Sequence, residues 1–265
     1  MQNNVLKLNL KFKGTTMNTH LKAIDVVVIA ISAALYAVFG ILTAGFNFLG
    51  VGFLPAVVIP AVFASLYGPW VGGLGAAIGI FIRDMFVHGN AVLSLVAGVP
   101  PNFIVFFLIG YFAMRDISLR KALTGLAIAA VGLLVPTLVF LPDFVSFTGL
   151  STEAFLLTFV LTVILSLVVI GIVSIRYKEW RSYAIGSVVG QLVGAALLSV
   201  TVVAVSPYFI SIIGGVLPAA VALPLWIWTF ATEVPFVLLL GPPIIKACYR
   251  AFPSLRQRKD HRELK

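Results

Sequence analysis

Apolar runs long enough to cross a bilayer recur along this chain, and its basic residues fall almost entirely in the two tails or between alternate pairs of them. A hydrocarbon core of about 30 Å takes roughly 20 residues of α-helix. Residues 24–44, 53–67, 70–87, 92–113, 122–141, 155–175, 183–205 and 217–246 are the candidate spans. The second is short for a full crossing, and the last is long and carries Pro224, Pro235, Pro242 and Pro243. At 61% hydrophobic and 10% charged residues, the chain reads as an all-α polytopic helical membrane protein with about eight spans.

Lys7, Lys11, Lys13 and Lys22 precede the first span; Arg115, Arg120 and Lys121 follow the fourth; Arg176, Lys178 and Arg181 follow the sixth; the rest follow the eighth, Arg83 excepted. An even number of spans puts all these clusters on one side, so the positive-inside rule predicts that both termini are cytoplasmic. The opposite loops, 45–52, 88–90, 142–153 and 206–216, contain no Lys or Arg. The net charge of +9 therefore reports orientation and contact with anionic lipid, with no case for nucleic acid. The first apolar run lacks a small-residue cleavage pattern behind it and is expected to stay in the mature protein. Residues 1–22 read as a basic cytoplasmic tail, with Met17 a second candidate start; 23–249 read as a single transmembrane domain and 250–265 as a second basic tail. Cys248 is alone, which excludes an internal disulfide and a cysteine metal cluster.

Enzyme motifs are not found: there is no Walker loop, no zinc-binding His-Glu-x-x-His and no Asp-rich metal motif. His20, His88 and His261 are too scattered for a metal site. The expectation is a protein with no catalytic residue, cofactor or metal of its own, so energy from ATP would come from a partner.

The spans carry small-residue seams instead. Helices in lipid associate by close packing, and Gly or Ala four apart mark faces that meet another helix. The first span has Ala30, Ala33, Ala34 and Ala37; the third has Gly68, Gly72, Gly75, Ala76 and Gly79; the seventh has Gly186, Gly190 and Gly194. Extending the third seam by one turn reaches Arg83, which should point into the protein. Asp84 and His88 form a second pair four apart on the same helix. A charge at membrane depth costs several kcal/mol unless paired or wetted, which makes such groups functional candidates. Gly98, Pro100 and Pro101 interrupt the fourth span just before Asn102, freeing backbone carbonyls that need protein or a cavity. In the eighth span, Trp226, Thr229 and Glu233 share a stripe, with Trp228 and Thr232 on the next, forming an aromatic and polar wall.

The segments IAISAALYAVFG, FLPAVVIPAVFASLYGPWVGGLGAAIGIFIRDMF and GNAVLSLVAGVPPNFIVFFLIGYFA, with the ending TEVPFVLLLGPPIIKACYR, resemble the substrate-binding S component of energy-coupling factor transporters. The similarity covers 24–114 best and 183–250 more loosely. It implies a six-helix core, to which spans 122–141 and 155–175 are added as an inserted helical hairpin, 122–175. The family pattern further implies that Ala33 and Ala37, with Ala30 and Ala34 beside them, dock on a transmembrane scaffold, the T component, served by two ABC ATPases. It also implies capture of a small water-soluble vitamin or vitamin precursor, with Asn47, Arg83, Asp84, Asn102 and Glu233 in places comparable to the family's ligand contacts. Trp226 and Trp228, from the residue reading alone, are either part of that substrate-binding wall or anchors at the membrane interface. The loop 45–52 would act as lid, its Gly45, Gly50 and Gly52 allowing the backbone to swing. Two other classes stay open. A self-sufficient secondary transporter would use Arg83, Asp84 and Glu233 for proton coupling but should show an internal repeat, and none convincing is found. A lipid-modifying membrane enzyme is disfavoured by the missing motifs.

The charge asymmetry makes a direct prediction. In a Cys248→Ala background, a membrane-impermeant thiol reagent applied to intact cells should label Ser146→Cys and spare Arg258→Cys; the reverse would overturn the topology.

Overall fold

The computed structural model describes residues 11–12, 15–16, 21–45, 47–48, 51–139, 141–142, 145 and 151–255. The expectations for most of the two tails and of loop 142–153 lie outside the described residues. The helices that matter below are α1 (Ala23–Leu42), α2 (Val58–Tyr67), α3 (Pro69–Val87), α4 (Val99–Ala113), α5 (Leu119–Val139), α6 (Thr152–Arg176), α7 (Arg181–Val205) and α8 (Ala222–Ala251). Among the described residues, five helical stretches are long and apolar enough to cross a membrane, Ala23–Leu42, Pro69–Val87, Ala91–Ala113, Lys178–Tyr208 and Ala219–Ala251. The protein is thus an all-α polytopic membrane protein, and its exposed Leu, Ile, Val and Phe side chains form the faces that lipid covers.

Local chemistry sets where these helices begin and end. Gly68 takes φ of +102°, a left-handed conformation that only glycine adopts freely, and Pro69 then opens α3 at a position that needs no amide donor. Asn90 caps the next helical turn by accepting from the Leu93 amide at 2.9 Å. The interruption expected at Gly98, Pro100 and Pro101 is a π-helical turn, Ser94–Gly98, that runs on into α4 with both prolines in the first turn. There a missing amide is tolerated, so the helix widens without breaking.

Small residues decide the packing. α2, too short to span, is buried on most of its surface and touches α1, α3, α4 and α8. A Cβ added at Gly79 would sit 2.9 Å from the Ala33 carbonyl oxygen, and one at Gly75 would sit 2.8 Å from Ser32 Oγ. At Gly72 it would collide with Ala64, and at Gly73 with the Phe103 ring. The glycines of α3 therefore seat α1, α2 and α4 in one layer. The α7 seam does the same against α4: a Cβ on Gly190 would lie 2.6 Å from the Val105 carbonyl oxygen, and one on Gly186 2.8 Å from Phe112. α7 then packs on α8, where Tyr183 donates to the Val237 carbonyl at 2.8 Å and its ring fills the space left by Gly241.

One expectation is corrected. Ala33 and Ala37 are each 2% exposed and face α3, so they are internal packing and not a docking surface. Ala30 and Ala34, also four apart, lie on the exposed face of α1 with Val27, Ile31 and Val38.

α5 and α6 form the expected hairpin and lie against α7 and α8. Ala129 and Ile170 meet Ala184, Val188, Ile227 and Phe230 in a second apolar cluster. No glycine seam joins this layer: a Cβ at Gly125, Gly132 or Gly171 meets nothing within 4 Å.

The contrast between the seams is measurable. Gly190→Ala should lower the thermal unfolding temperature in detergent, by the equivalent of about 1–3 kcal/mol of overpacking. Gly125→Ala should leave it unchanged or raise it, since helix propensity gains up to about 1 kcal/mol and nothing is struck. Equal melting of the two variants would show that close packing is not what holds the core.

Candidate functional site

Arg83 and Glu233 meet across one cavity of about 90 Å³ at the end of the bundle whose loops lack Lys and Arg. Asp84, His88 and Asn102 line it as well, with Val51 and Gly52 from the 45–52 connection. Its apolar wall includes Ile80, Leu198 and Ile213.

Each charge is held by a local arrangement. Arg83 lies one turn beyond Gly79, and its side chain passes over α1 where Gly40 has no Cβ; a methyl there would lie 3.1 Å from Arg83 Cγ. The guanidinium donates from one terminal nitrogen to Asp84 Oδ1 at 3.0 Å. Asp84 Oδ2 accepts from Ser94 Oγ at 2.8 Å, and His88 Nε2 stands 3.7 Å from the same oxygen. Asp84 comes close to the π turn because Gly98 offers no side chain; a Cβ there would be 2.6 Å from Asp84 Oδ2. Asn102 bridges the layers: its Oδ1 accepts from Tyr36 Oη at 2.7 Å, and its Nδ2 donates to the Gly98 carbonyl at 2.9 Å. On the far wall, Gln191 Nε2 donates to Glu233 Oε2 at 2.8 Å.

Two polar atoms are left over. Arg83 Nε and Gln191 Oε1 are buried with no hydrogen-bond partner in the structure. A buried donor without a partner costs about 1–3 kcal/mol, so both ends of the charged array are under-satisfied. Arg83 and Glu233 are each less than a tenth exposed, yet no ion pair within 4.0 Å joins them. The arrangement therefore offers a cationic corner and an anionic corner with a gap between them. Asp84 is committed to Arg83 and Ser94.

The structure sorts the other candidates. Trp228 packs beside the site: its Nε1 donates to the carbonyl of the lining residue Val51 at 3.3 Å, which ties Val51 to α8. Trp226 does not join it. Its Nε1 donates to the Leu192 carbonyl at 2.9 Å and its ring packs with the hairpin cluster, because protein covers α8 on two sides and Trp226, two turns before Glu233, meets the second. Thr229 bonds its own helix at the Leu225 carbonyl, and Thr232 bonds that of Trp228. Asn47 pairs through its backbone with Gly52, and its side chain lies outside the described residues. Sequence reasoning missed Tyr36, Gly40, Ser94 and Gln191. Gln191 carried a signal, being an amide inside an otherwise apolar span directly after a seam glycine.

No protein-family model matches the chain, and no solved structure matches it. Curated relatives do. The chain is 36% identical over 138 residues to a UPF0397 protein of Aliivibrio fischeri (strain MJ11), covering 52% of this chain and 71% of that protein. It is 37% identical over 108 residues to a UPF0397 protein of Aliivibrio salmonicida, covering 40% of this chain and 56% of the relative. With a UPF0397 protein of Vibrio atlanticus it shares 40% identity over 90 residues, 34% of this chain and 48% of the relative. An identity above a third, sustained across most of the length of the first of these proteins, means that this polytopic membrane chain belongs to the UPF0397 family.

Proposed function

We propose that the protein is the substrate-capture subunit of an energy-coupling factor transporter, holding a small water-soluble vitamin or vitamin precursor for uptake by ATP-driven partners. The observation that carries this reading is the gap between Arg83, with its unpartnered Nε, and Glu233, inside one small cavity that Val51 also lines. Arg83 suits a carboxylate or phosphate on the ligand, and the free oxygen of Glu233 suits an amine or cationic ring. Asn102 supplies a neutral polar contact between them. The protein performs no chemical step; it binds, and opposite charges held apart give orientation as well as affinity.

At about 90 Å³ the cavity is well below the roughly 300–1,000 Å³ of small-molecule sites, so binding of a whole vitamin requires the residues that line it to move apart. Val51 and Gly52, which line the cavity, belong to the 45–52 loop expected to act as its lid. Transport by toppling of the subunit on a scaffold, driven by two ABC ATPases, is analogy with the S components. The surface offered for that scaffold is the exposed Ala30 and Ala34 stripe of α1, where small side chains permit close approach.

Binding and stability measured together test the cavity. Extraction in mild detergent with mass spectrometry of co-purified small molecules identifies the ligand. Arg83→Gln and Glu233→Gln should each then weaken its binding about tenfold to a hundredfold, as expected for loss of one charge-assisted contact worth roughly 1.5–3 kcal/mol. Variants that melt earlier but bind normally once folded would make both residues structural and move the site elsewhere.

The docking surface has its own test. Ala30→Trp combined with Ala34→Trp should abolish co-purification with scaffold and ATPases while leaving ligand binding by the isolated subunit intact. Ala33→Trp with Ala37→Trp should instead prevent folding, because both side chains are enclosed by α3. A complex that survives the outward pair would rule out this face.

A further inference from the structure

A second cavity, about 750 Å³, opens at the opposite end of the bundle from Arg83. Three separate connections build it: the foot of α4 leading into the hairpin, the return from α6 into α7, and the last turns of α8. Arg115, Arg176, Lys178, Lys246 and Arg250 line it against two carboxylates, Asp116 and Glu179, which leaves a formal charge of +3. The two carboxylates do not neutralise their neighbours. Among the described residues, ion pairs within 4.0 Å gather at Asp84, and neither Asp116 nor Glu179 pairs with any of the five cations. Arg115 instead lies 3.9 Å over the Tyr111 ring. All five cations are exposed, so their charge is presented outward.

A solvated charge cluster that only orients a membrane protein needs no concavity and no convergence of distant segments. Here residues more than 130 positions apart in the chain turn their charge into one hollow, where like charges with low-dielectric walls repel unless an anion enters. Tyr177, Trp180 and Tyr249 stand in the same wall, the amphipathic aromatics that settle at the headgroup level of a bilayer. Around it, α5, α6 and α8 expose Leu123, Ile172, Ile175 and Ile244, apolar surface that would lie along acyl chains. A soluble anion would use the cations and have no use for that surface; a phospholipid uses both.

We propose that this basic hollow is a binding site for the phosphate-bearing headgroup of an anionic phospholipid, with the guanidinium groups of Arg176 and Arg250 and the ammonium groups of Lys178 and Lys246 on the phosphate. Arginine pairs with phosphate oxygens through two parallel N–H donors, and lysine adds point charge. The positive-inside rule puts this end at the cytoplasmic leaflet, where anionic lipids concentrate and basic pockets between helices select their headgroups. Both connections of the hairpin contribute to it, which gives the added helices a role at the membrane surface independent of the Arg83 cavity.

The test uses the full chain in detergent, with bound lipid counted by native mass spectrometry during titration with phosphatidylglycerol, phosphatidylcholine or inorganic phosphate. The wild-type protein should retain phosphatidylglycerol at least tenfold more tightly than phosphatidylcholine, and millimolar inorganic phosphate should not displace it. Arg176→Gln, Lys178→Gln and Lys246→Gln together should weaken phosphatidylglycerol binding by about tenfold or more. Arg256→Gln, Arg258→Gln and Lys259→Gln together remove the same charge from the tail and should change it less than twofold. If the first triple variant does not extract as a folded protein, Lys178→Gln with Arg250→Gln carries the same expectation, from two different connections. Equal losses in the cavity and tail variants would reduce the effect to general electrostatics and overturn the site. So would equal affinity for the two lipids, displacement by inorganic phosphate, which would make it a free-anion site, or displacement of the lipid by an acidic peptide of a partner, which would make it a protein-docking surface.

Discussion

Backbone contact between helices is the constraint on which the rest of this molecule depends. Lipid tails are as apolar as leucine, so helices in a bilayer gain little from hiding apolar side chains and must gain from close packing. Glycines on α3 and α7 supply it, bringing α1, α2 and α4 to separations at which even one methyl would strike a carbonyl oxygen of α1 or α4 or the Ala64 backbone of α2. The functional groups are attached to these contacts. Arg83 follows Gly79 by one turn, and Gln191, which grips Glu233, is the residue after Gly190. Packing and site are therefore one design: loosening a seam would displace a charge.

Charge at membrane depth then has to be managed. Asp84 answers Arg83 from its own helix, Ser94 of the π turn donates to Asp84 in turn, and the bare backbone of Gly98 lets the carboxylate approach. Glu233 is answered by an amide and not by the guanidinium. Had Arg83 and Glu233 closed into a direct pair, the cavity would hold a structural salt bridge with nothing to offer a ligand. Keeping them apart leaves Arg83 Nε without a partner, a cost that binding of a complementary ligand would remove.

Much of this was legible in the sequence, for reasons that also explain the failures. The all-α polytopic character was readable because bilayer thickness imposes a length, which five helices among the described residues meet, and the position of Arg83 because a charge cannot face lipid while the seam beneath it defines the inward face. The orientation of α1 was not readable. Ala30 with Ala34 and Ala33 with Ala37 have the same spacing and similar neighbours, and in a bilayer the inner and outer faces are both apolar, so composition gives no contrast. Trp226 failed for a related reason: the stripe it shares with Glu233 was counted as one wall, whereas α8 is covered by α7 and by the hairpin and has two. At Gly98 the prolines signalled a break, but the π turn absorbed the widening and Asn102 took the Gly98 carbonyl, a side-chain rescue that periodicity does not reveal.

The hairpin separates the two ends of the molecule in kind. A stretch of 138 residues is 71% of the first Aliivibrio fischeri relative, which is therefore about 194 residues long, some 70 shorter than this chain of 265. The hairpin helices run from Leu119 to Arg176, a stretch of comparable length, and among the described residues Ala129 and Ile170 pack them on the core. The close contacts that set Arg83 and Glu233 lie among α1, α2, α3, α4, α7 and α8 and do not involve it. What the hairpin brings is its two connections, both of which turn back at the basic end and carry Arg115, Arg176 and Lys178 into the large hollow. One end of the bundle thus holds opposite charges around a small cavity of about 90 Å³. The other gathers like charges around one of about 750 Å³, where attraction for an anionic surface needs no close fit.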